Sequence, residues 1–266
     1  MVNLGVIFPP ELPPERLKEV ALAAEESELD ELWLWEDCFA ESGIATAAAV
    51  LAWTGRLRVG IGLLPVPLRN VALTAMELAT LARLFPGRLI PGLGHGVQDW
   101  MAQAGARAQS PMTLLTEYAT ALRALLNGET VSTSGRYVTL DDVTLAWPPQ
   151  PPPPLLLGAV GPRTLRLAGA LGDGVILTGG TTLDELPEIA RLVRAGRSDS
   201  GREGEPAVVI FVPVADRPPA DELARRLNQY AEAGASTVAL LSVGDHAPAL
   251  PEFVRYVGRE VRPLLG

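Results

Sequence analysis

The sequence has one cysteine, Cys38, and one lysine, Lys18, among its 266 residues. A single cysteine cannot form an intrachain disulfide, which is typical of a reducing compartment, so we expect a cytoplasmic protein. Long apolar runs are also missing, because the longest, around residues 44–53, is too short to span a membrane. The first ten residues lack a basic segment before an apolar one, so no signal peptide is expected.

Clustered positive charge is scarce as well. The formal net charge is −9, and the 22 lysine and arginine residues are spread among 31 acidic ones. A nucleic-acid surface needs clustered cations, so we expect neither nucleic acid nor a membrane as a partner. The two histidines, His95 and His246, lack metal-ligand spacing, so no metal site is expected. A small-molecule substrate is the expected partner, and self-association into a homodimer is left open.

What the sequence does contain is a recurring strand-and-helix pattern. Eight short apolar runs start, for the most part, roughly thirty residues apart, which is the size of one βα unit. They are residues 2–8, 31–36, 57–63, 88–94, 155–159, 174–178, 207–213 and 236–241, with amphipathic helical patterns at 14–28, 72–84, 182–194 and 220–233. Alternating strands and helices predict a parallel sheet, and eight units predict one closed (β/α)8 TIM barrel over residues 1–266.

Three features depart from this repeat. Residues 128–147 hold three alternating stretches, which predict a small antiparallel β excursion before the fifth barrel strand. The proline-rich run 148–154 resembles a linker between two domains in composition. We expect an ordered surface segment instead, because four units precede it and four follow. Pro91 lies inside the fourth run and cannot donate to a central ladder, so a bulge there would accommodate it.

Candidate catalytic residues follow the second run, since functional groups of such barrels sit at the carboxyl ends of the strands. Side chains alternate along a strand, and Glu36 shares its face with two leucines. Branched aliphatic residues fill barrel interiors, so we expect Glu36 to face the barrel mouth and Trp33 and Trp35 to pack outward. Glu36 and Asp37 are candidate acids, with exposed loop carboxylates as the alternative interpretation.

Glycine marks the third and fourth runs. Gly60 and Gly62 lie on one face of the third run, where glycine indicates a bulge or a close approach to the backbone. A flat ring against Gly62 is the functional interpretation, and tight packing against a helix is the structural alternative. The fourth run ends at Gly94, followed by His95, a candidate catalytic residue at the mouth. A lone histidine is more often structural.

The fifth and sixth runs end in small and polar residues. Backbone amides, an arginine and a threonine meet where a helix is expected to begin, and these are features of an anion site. We therefore predict that a phosphate binds at Ala159, Val160, Gly161, Pro162, Arg163 and Thr164, with Thr178 and Gly179 as a second lip beside it.

Taken together, these motifs resemble the luciferase-like monooxygenase superfamily, and most closely its branch that uses the deazaflavin coenzyme F420. The resemblance covers most of the chain and is clearest between residues 32 and 178. It rests on the segments 56–62 with 69–70, 85–96, 154–162 and 171–175. Each segment is a weak signal by itself, whereas their order and spacing are fairly specific.

The resemblance implies a ring-shaped cofactor at the barrel mouth and a bulged third strand under it. A non-prolyl cis peptide would lie at Gly62–Leu63, and Gly62, Leu63, Leu64 and Gly94 are assigned to cofactor binding. Deazaflavin relatives often carry Asp-His after the second strand, where this chain has Glu36 and Asp37. The proton donor would then be Glu36, Asp37 or His95, or it would be absent.

The implied function is hydride transfer between coenzyme F420 and a small organic substrate. Two alternatives stay open, an FMN-dependent monooxygenase on the same fold and a cofactor-binding protein without turnover. The F420 tail carries a phosphate and several carboxylates, for which Arg69 and Arg163 are the candidate cations, whereas the net charge of −9 slightly favours FMN. Substrate choice is expected to depend on apolar residues such as Trp100 and Met101.

Overall fold

Ten strands are present in the computed structural model, which describes residues 2–178 and 180–266. They are β1 (Asn3–Phe8), β2 (Glu31–Leu34), β3 (Arg58–Pro65), β4 (Leu89–Gly94), β5 (Val131–Ser134), β6 (Thr139–Val143), β7 (Leu156–Gly158), β8 (Gly174–Leu177), β9 (Ala207–Ala215) and β10 (Thr237–Val243). Eight of them pair in parallel and close into a barrel in the order β1-β10-β9-β8-β7-β4-β3-β2. The predicted TIM barrel is therefore confirmed, and each predicted run overlaps one of its strands.

Helices follow the barrel strands. They are α1 (Leu17–Glu26), α2 (Gly43–Trp53), α3 (Val71–Leu84), α4 (Gln98–Gln103), α5 (Pro111–Leu126), α6 (Pro162–Leu171), α7 (Leu186–Asp199), α8 (Ala220–Glu232) and α9 (Leu250–Tyr256). Local chemistry determines where several helices begin. At the start of α3 the Asn70 side chain accepts a hydrogen bond from the Ala72 amide, and proline is the first residue of α5 and of α6. Within the described ranges, no helix has both the length and the apolar character required to cross a membrane.

The segment between the two halves of the barrel matches its prediction in part. Strands β5 and β6 form an antiparallel pair before the fifth barrel strand, as expected, whereas the third predicted stretch forms no strand of its own. Pro149 and Pro153 in the proline-rich run are buried, and Arg83 donates a hydrogen bond to the Pro148 carbonyl. Four barrel strands precede this run and four follow it, so it joins two halves of one closed sheet.

The predicted bulge lies in β3, beside the proline of β4. Ile61 pairs with Pro91 and Leu64 with Leu93, so the register shifts between these two pairs. Pairing of β4 with β7 begins only at Gly92, one residue after the proline. The missing N–H of Pro91 therefore falls at the edge of one ladder and beside the irregularity of the other.

The barrel interior holds aromatic residues, which contradicts the predicted direction of the tryptophans. Trp33 is fully buried and meets Phe211 at a ring distance of 5.4 Å, although β2 and β9 are not neighbours in the sheet. The contact must therefore cross the interior. Side-chain atoms of Trp33 lie against the Cα of Gly60, where a Cβ would overlap the indole. The expectation that the tryptophans pack outward is wrong, because glycine on β3 makes room for a large ring inside.

The amino-terminal end of the barrel is closed by a buried carboxylate. Glu31 is 1% exposed and accepts a 2.8 Å hydrogen bond from Trp33 Nε1. Its other oxygen lies 2.6 Å from the Arg58 guanidinium, and the Thr237 hydroxyl is 3.5 Å away. Burial raises the pKa of Glu31, while Arg58 opposes that shift. At this end the polar groups satisfy one another.

Candidate active site

A cavity of about 410 Å³ opens at the carboxyl ends of the barrel strands. This is the end at which barrel enzymes carry their active sites, and the volume is in the range of small-molecule sites. Residues from the ends of β2, β3, β4, β7 and β8 share its wall with β9. They are Trp35, Glu36, Asp37, Gly62, Leu63, Pro65, His95, Gly96, Val97, Trp100, Gly158, Ala159, Val160, Gly161, Thr164, Ile176, Thr178 and Phe211.

The floor of the cavity is aromatic. Phe211 contacts Trp33 below it and Trp35 beside it, the latter at a ring distance of 5.7 Å. A Cβ built on Gly62 would lie 2.6 Å from Phe211 Cζ. The ring that comes close to Gly62 within the barrel is thus that of Phe211, which neither interpretation of this glycine had anticipated.

Leu63 forms part of the cavity wall, where its side chain packs against glycines. The peptide bond Gly62–Leu63 is cis and lies in the bulge of β3, as predicted. The Leu63 side chain packs over Gly94 and Gly158, and a Cβ on Gly94 would lie 2.5 Å from Leu63 Cδ2. Gly94 therefore supports the wall from behind. Leu64 is 1% exposed and belongs to the core between barrel and helices, so its side chain does not reach the cavity.

Glu36 reaches the cavity as one member of an ion pair. Its Oε2 accepts 2.7 Å hydrogen bonds from Arg69 Nη2 and from the Gly43 amide at the start of α2. Oε1 accepts from Arg69 Nε at 3.2 Å. The same guanidinium lies 3.3 Å from Glu77, so Arg69 is shared by two carboxylates. Glu36 is held as an anchor for α2, and Arg69 has its charge balanced within the protein.

Asp37 has different surroundings. It lines the cavity next to Glu36, and burial raises the pKa of its carboxyl group, with a further rise from the charge of Glu11. The pKa of Glu41 is raised as well, by burial and by the charges of Asp37 and Glu11. Burial therefore makes the protonated form of Asp37 more accessible than that of an exposed aspartate.

His95 lies on the opposite side, at the end of β4. Burial lowers the pKa of its imidazole, which therefore favours the neutral form. Its Nδ1 atom is buried and lacks a hydrogen-bond partner within residues 2–178 and 180–266. The same holds for Trp35 Nε1. Unsatisfied buried polar atoms are uncommon in folded proteins, so two of them at one cavity indicate a place for a ligand.

The wall formed by β7, β8 and α6 contains most of the predicted phosphate residues. Ala159, Val160, Gly161, Thr164 and Thr178 line the cavity. Because α6 begins at a proline, the first amides that its N-terminus offers belong to the two residues that follow. Gly179 lies outside the described residues.

Arg163 is the predicted phosphate residue that the structure places elsewhere. Its side chain lines a surface groove between α5, α6 and α7, together with Arg166, Asp199 and other residues. Pro162 occupies the first position of α6 and is exposed. Helical geometry explains the difference, because successive side chains at a helix start point in different directions and only Thr164 turns to the mouth.

Several wall residues were not predicted as site residues. Phe211 lies in the middle of a strand, and Trp35 was expected to pack outward. Trp100 lines the cavity as a substrate-shaping residue should, whereas Met101 is fully buried beneath Gly96. The two glycines on one face of β3 were the available signal, because such gaps in a barrel interior call for large side chains across from them.

A family model described as luciferase-like monooxygenase matches residues 3–259. The chain is 30% identical over 204 residues to a 5,10-methylenetetrahydromethanopterin reductase of Methanolobus tindarius, covering 76% of this chain. It is 34% identical over 208 residues to an F420-dependent glucose-6-phosphate dehydrogenase of Kineococcus radiotolerans, covering 72% of this chain. The matched region spans 61% of the length of either relative.

Solved structures agree on the fold. An F420-dependent secondary alcohol dehydrogenase in complex with an F420-acetone adduct superposes with a TM-score of 0.88 at 18% identity, covering 100% of this chain and 99% of the other. The oxygenating constituent of 3,6-diketocamphane monooxygenase of Pseudomonas putida, in complex with FMN, gives 0.80 at 14% identity with the same coverage. Because the family model matches residues 3–259, the resemblance seen in the motifs is confirmed, and the chain belongs to the luciferase-like monooxygenase family.

Proposed function

We propose that this protein is an F420-dependent oxidoreductase acting on a small organic substrate at the barrel mouth. The observation that carries the proposal is the cavity itself, with the bulged β3 on one side and the start of α6 on the other. The relatives named as F420-dependent support the choice of cofactor. The names of the two relatives give different substrates, a pterin for one and a sugar phosphate for the other. We therefore propose only a class of substrate for this chain.

The residues present fit a deazaflavin. Trp35 Nε1 and His95 Nδ1 are buried without partners in the described part of the chain, and a ring with carbonyl and nitrogen groups can satisfy both. Leu63 and Phe211 offer apolar surface for the ring. For a phosphate, Gly161 lies at the N-terminus of α6, where backbone amides are free, and Thr164 offers a hydroxyl group. When bound, the deazaflavin would supply or accept a hydride at its ring carbon.

The protein's own residues would position the reactants and manage one proton. The apolar floor excludes water from the inner end of the cavity, which strengthens electrostatic effects there. Arg69 and the Gly43 amide hold the Glu36 carboxyl group in place by hydrogen bonds. The Asp37 carboxyl is the proposed proton donor: it lines the cavity, and burial raises its pKa, so its protonated form is more accessible than that of an exposed aspartate.

An FMN-dependent monooxygenase is the second candidate. Arg69 is shared by two carboxylates, and Arg163 lines a separate groove, so neither candidate cation is free at the mouth. A cofactor tail with less negative charge would need less compensation. Consumption of oxygen by the reduced, substrate-loaded enzyme would identify this activity.

Titration of the protein with F420 and with FMN, followed by cofactor fluorescence at low and moderate salt, tests the proposal. We expect micromolar binding of F420 and weaker binding of FMN. Micromolar binding of FMN with no measurable F420 binding would overturn it. Tight F420 binding with no reduction of any acceptor from a broad panel would support a binding protein without turnover.

A further inference from the structure

We propose that the mouth cavity accepts an uncharged, largely apolar substrate and rejects phosphorylated or carboxylated ones. This inference rests on the proposed function, because it describes the substrate that would share the cavity with the cofactor. It narrows the substrate class beyond anything that family membership implies. Three observations lead to it: the residue types of the wall, the state of Arg69, and the acidic residues near the opening.

The substrate side of the wall is aromatic and aliphatic. Trp100 supplies a ring and Pro65 and Val97 supply aliphatic surface, while Trp35 and Phe211 are shared with the cofactor ring. Among the described residues that line the cavity there is no lysine and no arginine. An anion that enters such a cavity loses its hydration without gaining the charged hydrogen bonds that usually replace it.

Arg69 cannot serve as a hidden anion receptor. Its guanidinium is 2.7 Å from Glu36 and 3.3 Å from Glu77, so two carboxylates already balance one positive charge. The side chain is 16% exposed. A substrate anion would have to displace Glu36, which also holds the Gly43 amide at the start of α2.

The residues near the opening carry negative charge. Asp37 lines the cavity, and the charges of Glu11 and Glu41 lie close enough to interact with it or with each other. The anionic part of the cofactor is assigned to the other wall, where α6 begins and its amides favour a phosphate. A second anion on the Asp37 side would meet like charge instead.

Two comparisons of a neutral with an anionic ligand test the inference, by ligand-observed NMR on the protein without and with F420. Benzaldehyde and benzoate differ mainly in charge, whereas cyclohexanone and glucose 6-phosphate differ in size and in hydroxyl groups as well. Loading with F420 is checked first by fluorescence, so that failure of the proposed function is recognised separately. We expect the neutral member of each pair to bind at least tenfold more tightly.

Three variants sharpen the test. Asp37→Asn should shrink the benzaldehyde-to-benzoate ratio by about threefold to tenfold, as expected for one charge at a partly solvated site. The matched control Asp141→Asn removes an exposed charge from β6, outside the cavity lining, and should leave the ratio unchanged. Val97→Arg places a cation at an exposed wall position and should favour benzoate.

Two results with the unaltered protein would overturn the inference. One is that benzoate or glucose 6-phosphate binds as tightly as its neutral partner. The other is that neither neutral ligand binds at millimolar concentration.

Discussion

The carboxyl groups at the two ends of the barrel have different surroundings. Glu31 at the amino-terminal end is almost fully buried, and its partners Trp33, Arg58 and Thr237 come from three different strands. At the carboxyl end, Asp37 faces an open cavity and lies near other acidic groups. The closed end uses its polar groups for stability, whereas the open end keeps polar atoms available for a ligand.

Glu31→Ala should have the largest effect on stability. The substitution leaves the buried Trp33 Nε1 without its acceptor and removes the partner of Arg58, whose side chain is 37% exposed. We expect a loss of about 2–4 kcal/mol in the free energy of unfolding, measured by urea denaturation. Glu31→Gln keeps an acceptor for Trp33 and should lose less. A loss below about 1 kcal/mol for Glu31→Ala would show that this end contributes little.

Gly62→Val tests the junction between the two ends. A Cβ at Gly62 would lie 2.6 Å from Phe211 Cζ, so the larger side chain must displace that ring. We expect a destabilisation of about 1–3 kcal/mol from overpacking, together with weaker cofactor binding. In thermal unfolding, the double variant with Phe211→Ala should lose less stability than the sum of the two single losses, because the clash is relieved. If Gly62→Val unfolds at the same temperature as the unaltered protein, the close contact between Gly62 and Phe211 is contradicted.

Much of the fold could be predicted because it depends on local pattern. Eight apolar runs separated by helical segments specify a barrel whatever the finer contacts are. The direction of Trp33 could not be predicted in the same way, since alternation separates two faces without saying which is interior. That choice depends on Gly60 lying beside the indole, which is known only once the register of β2 against β3 is known.

The site was predictable in its location and less so in its chemistry. Strand ends identified Glu36, Asp37 and His95, and all three line the cavity. The sequence could not show that Arg69, 33 residues after Glu36, would bind it and so separate the roles of two adjacent acids. Nor could it show that Arg163 turns away from the mouth, because that depends on the angle at which α6 leaves β7.

An effect of similar size, on cofactor binding and not on stability, is expected at the start of α6. Thr164 lines the cavity and Arg163 does not, so Thr164→Val should weaken F420 binding more than Arg163→Ala. Loss of one hydrogen bond to a charged phosphate predicts about 1.5–3 kcal/mol for the former. Fluorescence titration of both variants at two salt concentrations measures the difference. A larger loss in Arg163→Ala would restore arginine as the phosphate residue.

The smallest expected effect concerns Asp37 and pH. Burial raises its folded-state pKa above the unfolded value near 3.8, so the ionised form disfavours folding at neutral pH. Asp37→Asn should therefore be slightly more stable than the unaltered protein at pH 7, by less than about 1 kcal/mol because the group is partly solvated. The gain should vanish below the unfolded pKa, where both states hold the proton. Thermal unfolding between about pH 3.5 and pH 7, a range chosen to bracket the titration, measures this stability gain. A gain that grows toward low pH would contradict the raised pKa of Asp37.

We propose that the open end of the barrel, and not another surface, holds the deazaflavin. A crystal structure of the protein soaked with F420 would show where the cofactor binds. We expect density for the ring in the 410 Å³ cavity between Leu63 and the unpaired nitrogens of Trp35 and His95, with the phosphate at Gly161 and Thr164. Density in the groove beside Arg163 and Arg166, or an empty mouth at saturating F420, would contradict it.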